Sequence, residues 1–206
     1  CALPILIPIL FEDEFLVIVN KPAGIASEEI ITQNGHWFLV HRLDQRVSGL
    51  LIFAKTTEAI TALNEMFVIG SIQKKYKAVV AAQPKILQQT LTHWLVKNSE
   101  QQKAKVFNKE VAHSKKAVLV YQCIQSSNKY HLLEITLFTG RFHQIRAQLA
   151  AINCPIVGDL KYGYKRSSPN GSIFLQSYSL KFTHPFTQEV VEMEIPNPEL
   201  WQKYGF

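Results

Sequence analysis

The chain has 206 residues, 47% hydrophobic and only 18% charged, with Lys and Arg outnumbering Asp and Glu by 22 to 16. That length buries a sizeable core, as one domain or one bilobed unit, and no long segment has the composition of a disordered tail. The net charge of +6 suits a phosphate backbone and points first to nucleic acid, although a solvated lysine face gives the same number.

Cys1, Cys123 and Cys154 are odd in number and far apart, so they read as reduced thiols and not as a disulfide framework. None of the seven histidines forms a ligand-spaced cluster with them, and zinc is not expected. The apolar run over 2–11 contains Pro4 and Pro8 and lacks a basic leader. It is too short for a membrane span and has no signal-peptide pattern, so a cytoplasmic protein is expected.

In chain order, apolar runs at 7–11 and 15–20 flank Glu12-Asp13-Glu14 and predict a hairpin. Lys21-Pro22-Ala23-Gly24 then breaks the pattern. Buried strands are expected at 38–40 and 50–54, with the polar stretch 41–49 as a loop between them. Thr56 or Thr57 can cap a helix with Glu58 in its first turn. Ile60, Leu63 and Phe67 share one face of it, and Gly70 ends it.

Further strands are expected at 76–82, 90–96, 117–124 and 130–138, then a turn at Thr139-Gly140. A second helix buries Phe142, Ile145, Leu149 and Ile152, and Pro155 stops it. The stretch 161–171 is the best candidate for a long exposed loop. A closing strand pair at 173–182 and 190–195 precedes a tail that ends in a short helix. Strands in runs with two clear helices predict an α+β fold around a mixed, largely antiparallel sheet.

Three polar segments could carry chemistry. In His41-Arg42-Leu43-Asp44-Gln45-Arg46-Val47-Ser48-Gly49, one carboxylate lies between two arginines. Cations keep a carboxylate ionised, able to act as nucleophile or base, and an ion pair pinning a turn has the same appearance. Gly140-Arg141-Phe142-His143-Gln144-Ile145-Arg146 opens a helix, where anions are favoured. Arg146 adjoins the buried face, so it needs an anionic partner or snorkels to solvent. In Lys74-Lys75-Tyr76-Lys77 strand alternation sets Tyr76 opposite Lys75 and Lys77, which suits base stacking beside phosphate contact, or a core tyrosine under a charged outer face. His41, His143 and His184 read as hydrogen-bonding residues without a chemical role. Ser48 lacks the Gly-x-Ser-x-Gly elbow, and no glycine-rich phosphate loop is present.

Taken together, these segments resemble the RluA-type pseudouridine synthases. The run from His41 to Gly49, continuing through Leu50-Leu51-Ile52-Phe53-Ala54-Lys55, is similar to that family's signature. Lys21-Pro22-Ala23-Gly24, Lys75-Tyr76, the Gly140-to-Arg146 segment and Pro155-Ile156-Val157-Gly158-Asp159 with Tyr162-Gly163 match further motifs in order, over about 11–185. Val47 stands where the family has Thr, and Leu175-Gln176-Ser177 where members often have Leu-His-Ala.

The resemblance implies one catalytic domain over 1–206, split into two lobes by a central cleft, with no separate S4 RNA-binding module ahead of Phe11. It implies Asp44 as catalytic aspartate, Arg146 paired with it and Tyr76 stacked on the target base. Arg42, His41, Lys21, Lys74, Lys77, Arg141, Gln144, Lys161, Lys165, Arg166 and Leu175 are the expected RNA or nucleotide contacts. Uridine would be isomerised to pseudouridine in structured rRNA or tRNA. The reaction has no redox change and no net hydrolysis, so no cofactor or metal is expected. The partner is RNA, with no membrane and no obligate protein partner, and the protein is expected to be a monomer. A catalytically silent RNA-binding protein or chaperone on the same fold is the alternative. A metal-dependent nuclease would want clustered carboxylates, and Glu12-Asp13-Glu14 reads as a hairpin turn.

Overall fold

The structure is a computed structural model that describes residues 7–33 and 35–206. The reading of Cys1 as a reduced thiol, and of residues 2–6 as part of an apolar run, lies outside the described residues. Cys123 and Cys154 are free thiols.

The strands are β1 (Ile9–Glu12), β2 (Leu16–Lys21), β3 (Phe38–Leu39), β4 (Ser48–Ala54), β5 (Gln73–Val80) and β6 (Gln88–Asn98). They continue with β7 (Lys103–Phe107), β8 (Lys115–Ser126), β9 (His131–Leu137), β10 (Leu175–Thr183) and β11 (Val190–Glu194). The α-helices are α1 (Ser27–Gln33), α2 (Thr57–Ile69) and α3 (Gln144–Ala151), and Leu160–Tyr162 and Glu199–Tyr204 form 3-10 helices. The expected α+β class with a mixed, largely antiparallel sheet is what the structure has. The chain divides into two compact units. The first runs to Lys74 and takes in Gln176–Pro196; the second comprises Lys75–Leu175 and Asn197–Phe206.

In the first unit the strand order is β1-β2-β4-β10, with β3 also on β4 and β11 on β10. The β4–β10 pairing, Gln176 to Ser48 and Ser177 to Gly49, is parallel, and the other pairs are antiparallel. Helix α2 starts where Thr56 accepts a hydrogen bond from the Ala59 amide and stops at Gly70, which takes the left-handed conformation. It packs Ala59 and Leu63 onto Leu16, Ile18, Leu50, Ile52, Leu180 and Phe182. At Gly49 φ is +119°, and a Cβ there would fall on the Ser177 backbone, so only glycine lets β4 and β10 come this close.

In the second unit the order is β5-β9-β8-β6-β7, antiparallel throughout. Ala147 of α3 joins Leu95, Ala104, Ala117 and Tyr162 in its core.

Several expectations are corrected. The strand expected at 38–40 is only two residues long, and Phe38 is exposed rather than buried. Helix α1 was not expected. Ile30 is its buried apolar residue, so it shows no periodicity, although the Ala26 amide is capped by Glu29 Oε1 at 3.0 Å. Strand β7 went unread because lysines alternate with its inward Ala104 and Val106. The stretch 161–171 is not an open loop throughout. It begins in a 3-10 turn and buries Tyr162 and Ser168, the latter through its hydroxyl donating to Ser172 O at 2.6 Å.

Candidate active site

Asp44 lies half-buried in the segment between β3 and β4, on a loop held by its neighbours' backbone. The Val47 amide donates to Asp44 O at 2.9 Å, closing the turn. On one side Ser27 Oγ accepts from the Leu43 amide at 3.1 Å and donates to Leu43 O at 3.2 Å. On the other the Gly24 amide donates to Gln45 O at 2.7 Å, and Gln45 Nε2 donates back to Gly24 O at 3.0 Å. The Lys-Pro-Ala-Gly turn and the start of α1 thus clamp the residues on both sides of Asp44. Leu43 and Val47 are buried beneath the loop, so a branched apolar side chain at 47 serves where the family has Thr.

Lys21 completes this frame. It is fully buried, and its ammonium donates to Pro22 O at 3.0 Å, Ile25 O at 2.8 Å and, more weakly, Gln45 O at 3.4 Å. Burial lowers its pKa to about 8, partly offset by the charge of Asp44. Lys21 is therefore corrected from an RNA contact to an internal brace: an ammonium already enclosed by carbonyls is not on the surface to meet a phosphate.

His41 is tied into the fold as well. Its Nε2 accepts from the Ile52 amide at 3.1 Å and its ring lies 4.8 Å from that of Phe67. Burial, with the nearby Lys74 charge, holds its pKa well below the usual imidazole value, so it is neutral at pH 7. Arg42 is exposed and reaches Glu28 at 3.2 Å, a pair worth little at a surface. Lys74 rests its ammonium 4.3 Å from the centre of the Phe67 ring, and burial lowers its pKa to about 8.

In the second unit Tyr76 is buried in β5, opposite Ile135 of β9. Lys75 and Lys77 alternate to the other face, as expected; Lys75 pairs with Glu134 at 3.2 Å.

Arg146 is 4% exposed and Asp159 not at all. Arg146 Nε donates to Asp159 Oδ2 at 2.7 Å and Nη2 to Asp159 Oδ1 at 2.9 Å, a bidentate fork. Its guanidinium carbon lies 5.1 Å from the Tyr162 ring centre. The Tyr162 hydroxyl accepts from the Ala104 amide at 2.8 Å and meets His143 Nδ1 at 3.0 Å. The anionic partner that burial of Arg146 demands is thus present within the unit. Sequence reasoning left Asp159 and Tyr162 without roles, although both fall in a matched motif; Ser27 carried no signal at all.

Gln144 is also corrected. It is buried, with Oε1 accepting from Thr139 Oγ1 at 2.8 Å and from the Arg141 amide at 3.0 Å, while Nε2 donates to Val118 O at 3.1 Å. These three bonds tie the start of α3 to β8 and the Thr139–Arg141 turn. Arg141 is exposed, its Nε on Lys116 O at 3.0 Å. Lys161, Lys165 and Arg166 are exposed, and Lys161 Nζ donates to Gln102 O at 3.0 Å. Leu175 is buried at the start of β10. In place of the family's His, Gln176 Nε2 donates to Pro196 O at 2.9 Å. No group of three or more metal-ligating side chains occurs among the described residues.

One unit thus holds Asp44 on a braced loop, and the other buries Arg146 in a fork with Asp159. A family model described as RNA pseudouridylate synthase matches residues 15–151, and the chain belongs to that family.

Relatives agree. The tRNA pseudouridine synthase C of Vibrio parahaemolyticus is 28% identical over 233 residues, covering 97% of this chain and 94% of that protein. The ribosomal large subunit pseudouridine synthase C of Rickettsia felis is 30% identical over 207 residues, covering 92% of this chain and 67% of that protein. In fold, the chain is similar to human RNA pseudouridylate synthase domain containing 4, with a TM-score of 0.77 at 22% identity over 95% of this chain and 90% of that one. Human RNA pseudouridylate synthase domain containing 1 gives 0.79 at 21%, over 95% and 85%. No helix among the described residues is long and apolar enough to cross a membrane.

Proposed function

We propose that the chain, as a single catalytic domain, converts uridine to pseudouridine in structured tRNA or rRNA, with Asp44 as the catalytic carboxylate. The reading rests first on the framing of Asp44: the turn at 22–24, Ser27 and Lys21 all hold the backbone around it. The relatives named for tRNA and for ribosomal RNA support both substrate classes. The expected setting is a monomer in the cytoplasm, working without a cofactor.

In the reaction the N1–C1′ bond of uridine breaks, the base turns, and a bond from C5 to C1′ forms; the C5 proton goes to solvent and N1 ends protonated. Extruding the base from its stack costs a few kcal/mol. Stacking on Tyr76 would return roughly 1–3 kcal/mol of it. Arg146, gripped by Asp159 along one edge, is the guanidinium that would keep Asp44 ionised. Arg42, His41, Lys74, Lys77, Arg141, Lys161, Lys165 and Arg166 remain candidates for RNA contact, and Leu175 for contact with the nucleotide.

The test is chemical mapping of pseudouridine in tRNA and rRNA from cells with and without this protein, alongside purified protein acting on each RNA. Loss of particular pseudouridines, restored by the purified protein, is expected. An unchanged map together with inert purified protein favours a silent RNA-binding role.

A further inference from the structure

One corner of the second unit carries basic side chains fixed in place beside Tyr162, whose ring also packs against Arg146. Residues 97–116 hold Lys97, Lys103, Lys105, Lys109, Lys115 and Lys116 against Glu100 and Glu110. The stretch is folded into the β6–β7 hairpin, which pairs Lys97 with Ala104 and Asn98 with Lys103, and the strand that follows.

At the hairpin's turn end three ammonium groups are fixed by neighbours other than carboxylates. Lys97 Nζ lies 4.9 Å from the Phe142 ring centre and Lys103 Nζ 5.1 Å from that of Tyr162. Lys161 Nζ donates to Gln102 O, in the hairpin turn, at 3.0 Å. Phe142 in turn stacks on His143 at 3.9 Å between ring centres. Rings and a carbonyl orient an ammonium without neutralising it. A carboxylate partner, such as Glu134 for Lys75, would cancel its attraction for phosphate.

We propose that Lys97, Lys103 and Lys161 form a phosphate-binding patch for the backbone of the substrate RNA. This deepens the reading of the chain as an RNA pseudouridine synthase and rests on it for the choice of ligand. An acidic protein offers the same charge. A nucleic-acid backbone fits better because its charges recur at regular steps, matching several fixed ammoniums at once.

The experiment measures binding of a tRNA stem-loop, by fluorescence anisotropy across a salt series, to the whole chain and to Lys97→Gln/Lys103→Gln. Two lost phosphate contacts should lower the slope of log K against log salt by about 1.5, with affinity about tenfold weaker at low salt. Lys97→Arg/Lys103→Arg should restore both values. Lys85→Gln/Lys129→Gln, the same charge change at the opposite end of β6 and β8, is expected to match the parent.

If the hairpin variant binds with the parent's slope and affinity, the patch is wrong, whatever the catalytic result. If the slope falls while the parent forms no pseudouridine on any RNA, the patch stands and the catalytic reading fails. Binding of an acidic polypeptide but not the stem-loop overturns the assignment to RNA.

Discussion

The loop around Asp44 and the helix bearing Arg146 are both rigidly held, by different forces. Around Asp44 the bonds run to main-chain atoms of Leu43 and Gln45, from Ser27, Gly24 and Lys21, and the Val47 amide closes the turn on Asp44 O. At Arg146 the hold is a buried fork of opposite charges, with Tyr162 against the guanidinium. A loop braced through its backbone keeps its shape when the carboxylate is changed. A helix braced through a charged pair does not tolerate loss of either partner, because the survivor remains buried without its counter-ion. Substitutions should therefore separate function from stability at position 44 and combine them at positions 146 and 159.

The largest effect on stability is expected at Asp159→Ala, about 3–5 kcal/mol by urea denaturation, with pseudouridine formation falling too. A variant as stable and active as the parent would mean that the buried fork is not what holds α3.

Next is Lys21→Met, which removes the ammonium from Pro22 O and Ile25 O and should cost about 1–3 kcal/mol. Its pH dependence is distinctive. The folded pKa of about 8 lies below the ordinary 10.5, so between these values the unfolded chain holds more protons and stability rises with pH. Below pH 8 both states are protonated and the full burial penalty applies. The parent should thus gain on Lys21→Met from about pH 8 to 10.5 and run parallel to it between pH 7 and 8. Parallel curves across the whole range would contradict a buried ammonium.

The His41 effect has its own window. Its folded pKa lies below the usual value of 6.5, so the stability that its neutral ring gives is present above pH 6.5 and lost as pH falls from there through the folded pKa. His41→Phe should remove that acid sensitivity, read as a flatter profile of melting temperature below pH 6.5. The smallest effect belongs to Thr56→Ala at the α2 cap, about 1 kcal/mol, with turnover unchanged. A larger loss would give α2 a part in positioning the loop.

Much of this was legible in the sequence. The hairpin at β1–β2, the Thr56 and Gly70 ends of α2, and the paired strands β10 and β11 follow from local signals such as alternation and caps, which act within a few residues. Helix α1 and strand β7 were hidden because each buries too few apolar side chains to set a period. The roles of Lys21, Gln144 and Asp159 were hidden for another reason. A lysine in a turn, a glutamine at a helix start and an aspartate after a glycine all look solvated in a sequence. Their burial depends on partners 24, 26 and 13 residues away. The glycine at 49 was visible as part of a motif, but its cause, the close passage of Ser177, exists only in the folded sheet.

Single-turnover tritium release from [5-³H]uridine-labelled RNA, run with the parent and with Asp44→Asn at matched RNA occupancy, tests the central claim most directly. The account predicts that the variant melts within about 1 kcal/mol of the parent, because the loop is braced through its backbone, binds RNA within a few fold of it, and releases no tritium above background. Tritium release by Asp44→Asn at a rate near the parent's would contradict it.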